Sequence, residues 1–327
     1  MKLLLLLACG LTAAAQSWVI QASGTTASLR GVSAVNAQVV WASGSGGTYL
    51  KTTDGGAHWI AAKVPGAENQ DFRDIQAVDE QTVYLMSAGK GDLSRVYKTT
   101  DGGAHWGLEL ANPDADGFFD AIAFWDADHG IVLGDPVRGR FVIFTTADGR
   151  RWQAQLGPEA QKDEGAFAAS GTCLIARGSG EAWFGSGGGR VFHSTNHGRT
   201  WQSFSTPVRH DVPSAGIFSL AFADSRHGIA VGGDYAKDRE THGNVAITSD
   251  GGRTWIEPPG HPNGYRSVVA WVPDGKFWIA AGTSGSDISR DGANWKTFDT
   301  RAFNAISFVS SKAGWAVGPK GVIARFQ

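Results

Sequence analysis

Short apolar stretches alternate with glycine-bearing polar turns along the chain, and the spacing of an amphipathic helix is almost absent. From Leu29 onward the order is Leu29-Arg-Gly-Val, Val39-Val-Trp-Ala-Ser, Thr48-Tyr-Leu-Lys and Trp59-Ile-Ala-Ala. Runs this short, bounded by Gly, Ser, Asn and Asp, predict four strands joined by tight turns. The same order restarts near Phe72, Phe119, Ala169, Phe218 and Tyr265. A last set, Phe303-Asn-Ala-Ile-Ser-Phe, Gly314-Trp-Ala-Val-Gly and Gly321-Val-Ile-Ala-Arg-Phe, stops before a fourth strand.

The turn before each fourth strand repeats almost verbatim. Thr52-Thr-Asp-Gly-Gly-Ala-His-Trp59 returns as Thr99–Trp106, and variants end at Trp152, Trp201, Trp255 and Trp295, at intervals of 47, 46, 49, 54 and 40 residues. Asp or Asn bonds back to nearby backbone N–H groups, Gly supplies the positive φ, and Trp opens the next strand. The turns ending at Trp152 and Trp295 are one residue shorter between Asp and Gly, which predicts looser corners there. A repeat of about 40–50 residues built from short strands specifies a β-propeller. Trp18-Val-Ile-Gln-Ala carries the missing Trp-first strand at the other end of the chain. Pairing it with Gly321–Phe326 closes a seventh blade and removes two exposed strand edges. The expected fold is therefore all-β, one seven-bladed propeller over residues 16–327, with six blades and an irregular closure as the alternative.

Residues 1–15, Met-Lys followed by a short leucine run and small residues, have the form of a signal peptide cleaved after Ala15. Leu6-Leu-Ala-Cys9 offers a competing lipobox behind a very short apolar run. Export to the periplasm or extracellular space is the expectation, with no membrane-spanning segment in the mature chain. Only Cys173 then remains, in an apolar strand, so packing rather than a disulfide must hold the fold. Lys+Arg 29 against Asp+Glu 31 leaves a net charge of −2, without the basic footprint that nucleic acid requires. A monomer is expected.

In a propeller, the connections into each first strand and the second-to-third-strand loops share one end, away from the Asp-bearing turns. The position just inside each first strand reads Arg30, Arg73, Asp120, Ser170, Ser219, Arg266 and Asn304. Loops on the same end add Asp135, Asp234, Tyr235 and Asp287. Three arginines beside aspartates suit a carboxylate, a phosphate or an acidic peptide, because guanidinium binds such groups bidentately. The competing reading pairs these charges with one another to stiffen the channel mouth. The sequence contains no dinucleotide-binding G-x-G-x-x-G after a strand, no G-x-S-x-G elbow and no H-E-x-x-H. His193 and His197 straddle a turn rather than one helical face, so neither a cofactor nor a metal is expected.

The repeated turn resembles the Asp-box (BNR) repeat. One family carrying it, the sialidases, implies Arg30, Arg73 and Arg266 around a carboxylate, Tyr235 or Tyr265 as nucleophile, and Asp135 or Asp234 as acid/base. Glu240 is the best available partner for a tyrosine, and Phe72-Arg73-Asp-Ile75 matches that family's opening motif without its proline. The closer resemblance, across the whole mature chain, is to photosystem II stability/assembly factor-like propellers and their bacterial relatives. It rests on Thr-Thr-Asp-Gly-Gly-Ala-His-Trp, Asp128-His-Gly-Ile-Val-Leu-Gly-Asp-Pro136, Arg226-His-Gly-Ile-Ala-Val-Gly-Gly-Asp234 and Ala313-Gly-Trp-Ala-Val-Gly318. That resemblance implies an exported, non-catalytic scaffold that binds membrane or envelope protein subunits, or an anionic ligand, through an arginine-rich face.

Overall fold

Apolar alternation over four to eight residues produces seven antiparallel sheets in the computed structural model, which describes residues 16–327. The leader and lipobox readings lie outside the described residues. Blade 1 contains Leu29–Ala34, Val40–Gly44, Thr48–Thr52 and Ile60–Lys63, in that spatial order. The first strands of the next five blades are Phe72–Ala77, Phe119–Phe124, Leu174–Arg177, Ala215–Phe222 and Val268–Val272. Blade 7 joins Ala305–Ser310, Ala313–Val317 and Ile323–Phe326 to Trp18–Gln21 from the other chain end. Three short 3-10 turns are the only helical segments among the described residues.

Each first strand touches the first strands of both flanking blades, so the seven form a closed ring around the central channel. Such a strand pairs on one side only, which leaves backbone groups that burial would penalise. The neighbouring blade satisfies them. Ala34 N donates to Ser307 Oγ (3.1 Å), Ala77 N to Ser33 Oγ (3.0 Å) and Ile122 N to Asp74 Oδ2 (2.8 Å). Leu220 N donates to Thr172 O (2.9 Å) and Val269 N to Ser219 Oγ (3.0 Å). In each of these five bonds the acceptor belongs to the preceding blade.

The outer rim is held by the Asp-bearing turns. Thr52 Oγ1 accepts from Gly56 N (2.9 Å), and Asp54 Oδ1 accepts from His58 N (2.9 Å). Gly56 sits at φ +88°, which a β-carbon would disfavour. The two shortened turns are not looser at the carboxylate. Asp148 accepts from Arg150 N and Arg151 N, and Asp291 from Ala293 N and Asn294 N, at 2.8–3.0 Å. Blade 5 keeps only three strands, because Pro258 and Pro259 follow Ile256 and cannot donate to a ladder; a single bridge, Ile247 to Ile256, survives.

Closure runs in register from Trp18 opposite Phe326 to Gln21 opposite Ile323. The buried Trp18 ring contacts Phe298, Phe303, Phe308 and Phe326. Gln21 reaches the next blade, accepting from Trp59 Nε1 at 3.0 Å.

Trp18→Ala is expected to lower the unfolding free energy by about 3–5 kcal/mol in urea titrations, whereas a loss below about 1 kcal/mol would show that the closing strand contributes little. Asp74 offers a pH test. Burial raises its carboxyl to about 7 against the opposing hydrogen bonds from Ile122 N and Ile75 N. The unfolded chain releases that proton near pH ~4, so the stability Asp74 contributes is complete below that value and is lost as pH rises toward 7. Relative to the parent, Asp74→Asn should gain stability steadily from about pH 4 to about pH 7 and hold level beyond. A constant difference across that window would mean the carboxyl is ionised throughout.

Candidate functional site

Four of the seven first strands carry an extra residue near their start. The pairing skips between Leu29 and Gly31, Phe72 and Asp74, Phe119 and Ala121, and Ile217 and Ser219. A bulge of this kind re-aims the skipped side chain. The skipped residues are Arg30, Arg73, Asp120 and Phe218, and all four line one cavity of about 480 Å³ at the channel mouth.

Asp135, Tyr235, Tyr265, Ser267 and Asn304 share that lining. Of the sequence-derived positions, Arg30, Arg73, Asp120, Asp135, Tyr235 and Asn304 are thus brought together; Arg266, Asp234, Asp287, Ser170 and Ser219 are placed elsewhere. Blade 6 has no bulge at its start, so Ser267 takes the channel-facing position and Arg266 turns into the protein. Its guanidinium is fully buried, binds Asp287 Oδ2 through Nε (2.7 Å) and Nη2 (2.5 Å), and donates to Tyr265 O, Asn263 O and Ser284 Oγ. Burial pulls its pKa down despite Asp287. Asp234 is buried beside Arg209 (3.9 Å); burial would raise its carboxyl, but donation from Ser214 and Ala236 N keeps it below the ordinary range. For Arg266 the ion-pairing reading holds, and the role is to fix the start of blade 6.

Sequence patterning starts blade 4 near Ala169 and leaves the residues ahead of it unassigned; the first strand begins only at Leu174, and the connection before it covers the mouth. Residues 156–173 connect blades 3 and 4, and their Ala166–Ala169 portion lines the cavity. Ala168 O accepts from Arg73 Nη1 (3.1 Å) and from Arg30 Nη2 (3.4 Å), two blades on the other side of the ring. Phe167 stacks on Phe218 with centroids 3.8 Å apart, and Tyr265 meets Phe218 edge-on at 4.8 Å. The segment is tied down at its base: buried Glu164 accepts from Arg190 Nε (3.0 Å), Ser186 Oγ (2.5 Å) and Gln161 N (2.7 Å), and Asp135 Oδ1 accepts from Ala166 N (2.9 Å). Its sequence signal is Phe167 alone among alanines, in Ala166-Phe-Ala-Ala169.

The charges in the mouth are incompletely satisfied. Arg73 Nε bonds Asp71 (2.6 Å), but Arg30 Nε has no partner among the described residues, and neither has either oxygen of Asp120. Burial first, and Arg73 second, bring Arg30 down to about 10, so it stays cationic at neutral pH. Burial drives Asp120 well above the carboxylate range, with Asp135 adding to the rise and Arg73 opposing it. Asp135 is itself raised by burial. The Tyr265 hydroxyl is pushed up by burial, which the positive charge of Arg30 only partly offsets.

No family model and no curated protein matches the chain. Solved structures do. The structure of YCF48 bound to D1 peptide aligns with a TM-score of 0.67 at 18% identity, over 97% of this chain and 98% of that one. YCF48 from Cyanidioschyzon merolae aligns with a TM-score of 0.66 at 17% identity, over 96% and 99%. At these identities the likeness is one of fold, the complete seven-bladed ring.

A second cavity, of about 400 Å³, opens on the other end between blades 5 and 6, where the fourth strand of blade 5 is missing. Trp271, Trp278 and Ile256 line it, and its carboxylates, Asp224 and Asp291, are engaged in their own turns. Of the two cavities, the mouth is the one lined by buried charged atoms without a partner among the described residues, Arg30 Nε and both oxygens of Asp120.

The two kinds of arginine separate experimentally. Arg266→Ala strands Asp287 and should cost about 3–5 kcal/mol of stability. Arg30→Ala removes a buried charge that repels Arg73 and should change stability by less than about 1 kcal/mol. Equal losses in urea titrations would contradict the separation.

Proposed function

We propose that the chain is an exported, non-catalytic binding scaffold whose channel mouth receives an anionic group, foremost one presented by a protein partner in the membrane or envelope. The observation carrying this reading is the pair Arg30 and Arg73: two guanidiniums from adjacent blades in one cavity, with a buried donor of Arg30 unengaged. A carboxylate or phosphate placed there would take up that donor in a water-poor setting, where charge-assisted hydrogen bonds are strong. The aromatic wall of Phe167, Phe218, Tyr235 and Tyr265 supplies the apolar contact that anchors a bound segment. The fold shared with YCF48, in the structure that holds D1 peptide, supports a peptide-binding role, as does the resemblance to photosystem II stability/assembly factor-like propellers. A sialidase-like hydrolase has less support. Glu240, the partner considered for a tyrosine nucleophile, is engaged by Arg209 and Lys237. Tyr265 is buried with its hydroxyl pKa raised, which opposes formation of a phenolate.

The test is crosslinking of tagged protein in the periplasm of its own host, with recovered proteins identified by mass spectrometry. Membrane or envelope subunits should be recovered reproducibly with the parent and vanish with Arg30→Ala/Arg73→Ala, while the variant's melting curve stays close to the parent's. Undiminished recovery with the variant would remove the arginines from the binding face. Recovery of no specific subunit by the parent would overturn the partner reading.

A further inference from the structure

Asp120 is the most unusual group in the mouth. It comes from a bulge that aims it into the cavity, it is 1% exposed, and neither carboxyl oxygen has a hydrogen-bond partner among the described residues. A buried carboxyl left without a donor is costly, and stable folds rarely keep one. The arginines do not supply the missing donor. Arg73 spends its Nε on Asp71 and a terminal nitrogen on Ala168 O, and Arg30 contacts the same carbonyl. Asp135, from the same blade, lines the cavity beside it and accepts only from Ala166 N.

We propose that Asp120 and Asp135 form a subsite for an organic ammonium group, so that the mouth takes an occupant bearing a primary amine near a carboxylate. The proposal deepens the reading of the mouth as a binding site and adds a second, oppositely charged pole to it. An ammonium fits what the pair lacks: it brings three donors to a site where neither oxygen of Asp120 has one. The aromatic rings of Phe118, Phe218, Tyr235 and Tyr265 in the same cavity suit a cation flanked by methylene groups. A metal ion fits less well, because no group of three or more His, Cys, Asp or Glu among the described residues could hold one. Burial raises both carboxyls while the mouth is empty, and an incoming cation would draw them back to the ionised form.

The full mature chain would be titrated calorimetrically with hexylammonium, hexanoate, 6-aminohexanoate and, as a neutral control, 1-hexanol. The parent should bind 6-aminohexanoate best and hexylammonium better than hexanol. Asp120→Asn should weaken both amines by about ten-fold or more while leaving hexanoate unchanged, the loss expected for one charge-assisted hydrogen bond. Asp135→Asn should act in the same direction, and it carries the test should the first variant fail to fold. Arg30→Ala/Arg73→Ala should weaken hexanoate and spare hexylammonium. If hexylammonium binds no better than hexanol, or binds equally to both Asn variants, the ammonium subsite is overturned, and hexanoate binding lost in the arginine variant still upholds the anionic site. If hexylammonium behaves as expected and hexanoate does not bind, the arginine reading fails and the acidic subsite stands.

Discussion

A ring of strands that each pair on one side only must find partners for the other side, and this constraint organises the molecule. The first strand of every blade faces the channel end of its sheet, too close to its neighbours for water to serve its backbone. Side chains of the preceding blade do so instead: Ser307, Ser33, Asp74 and Ser219, with the carbonyl of Thr172 at one further junction. At these five junctions the backbone N–H donates to the preceding blade, while Asn304 Nδ2 donates the other way, from blade 7 to Leu29 O of blade 1. Such a series has no natural start or end, and the two ends of the chain meet where Trp18–Gln21 completes the blade begun at Ala305.

The mouth is a by-product of the same packing. Four first strands gain a residue at their start, and each bulge turns a side chain into the channel. Two of these residues are arginines and one is an aspartate, so opposite charges meet in a cavity that Ala166–Ala169 partly roofs. The roof is held by Glu164 and Arg190 below and by Phe167 on Phe218 above. The outcome is a partly roofed, aromatic-walled site whose charges are only partly answered from within. Chemistry of that kind suits recognition of a charged occupant.

Arg266 shows how narrowly such a site is defined. Its sequence setting, an apolar strand start preceded by an aromatic residue, matches Arg73 after Phe72. Without a bulge, the channel-facing position moves on by one residue to Ser267, and the guanidinium turns inward to Asp287. Phe218 is the converse case. The sequence suggested Ser219 for the channel, but the skipped residue in blade 5 is Phe218, which becomes the centre of the aromatic wall, while Ser219 binds the next blade.

The repeat of strand lengths, the Asp-bearing turns and the Trp-first segment at Trp18 were enough to specify blade number, strand order and closure. Strand periodicity and turn chemistry act within a few residues of sequence, and closure follows from complementary patterns at the two chain ends. Arg30, Arg73, Asp120 and Asn304 were legible for the same reason, since all sit at a common offset from a strand start. What the tertiary structure alone decided is where that offset shifts, which arginine finds an internal carboxylate, and what covers the channel. A bulge depends on how two strands register across a sheet, and the roof depends on contacts between blades that are distant in sequence. Neither leaves a periodic trace along the chain.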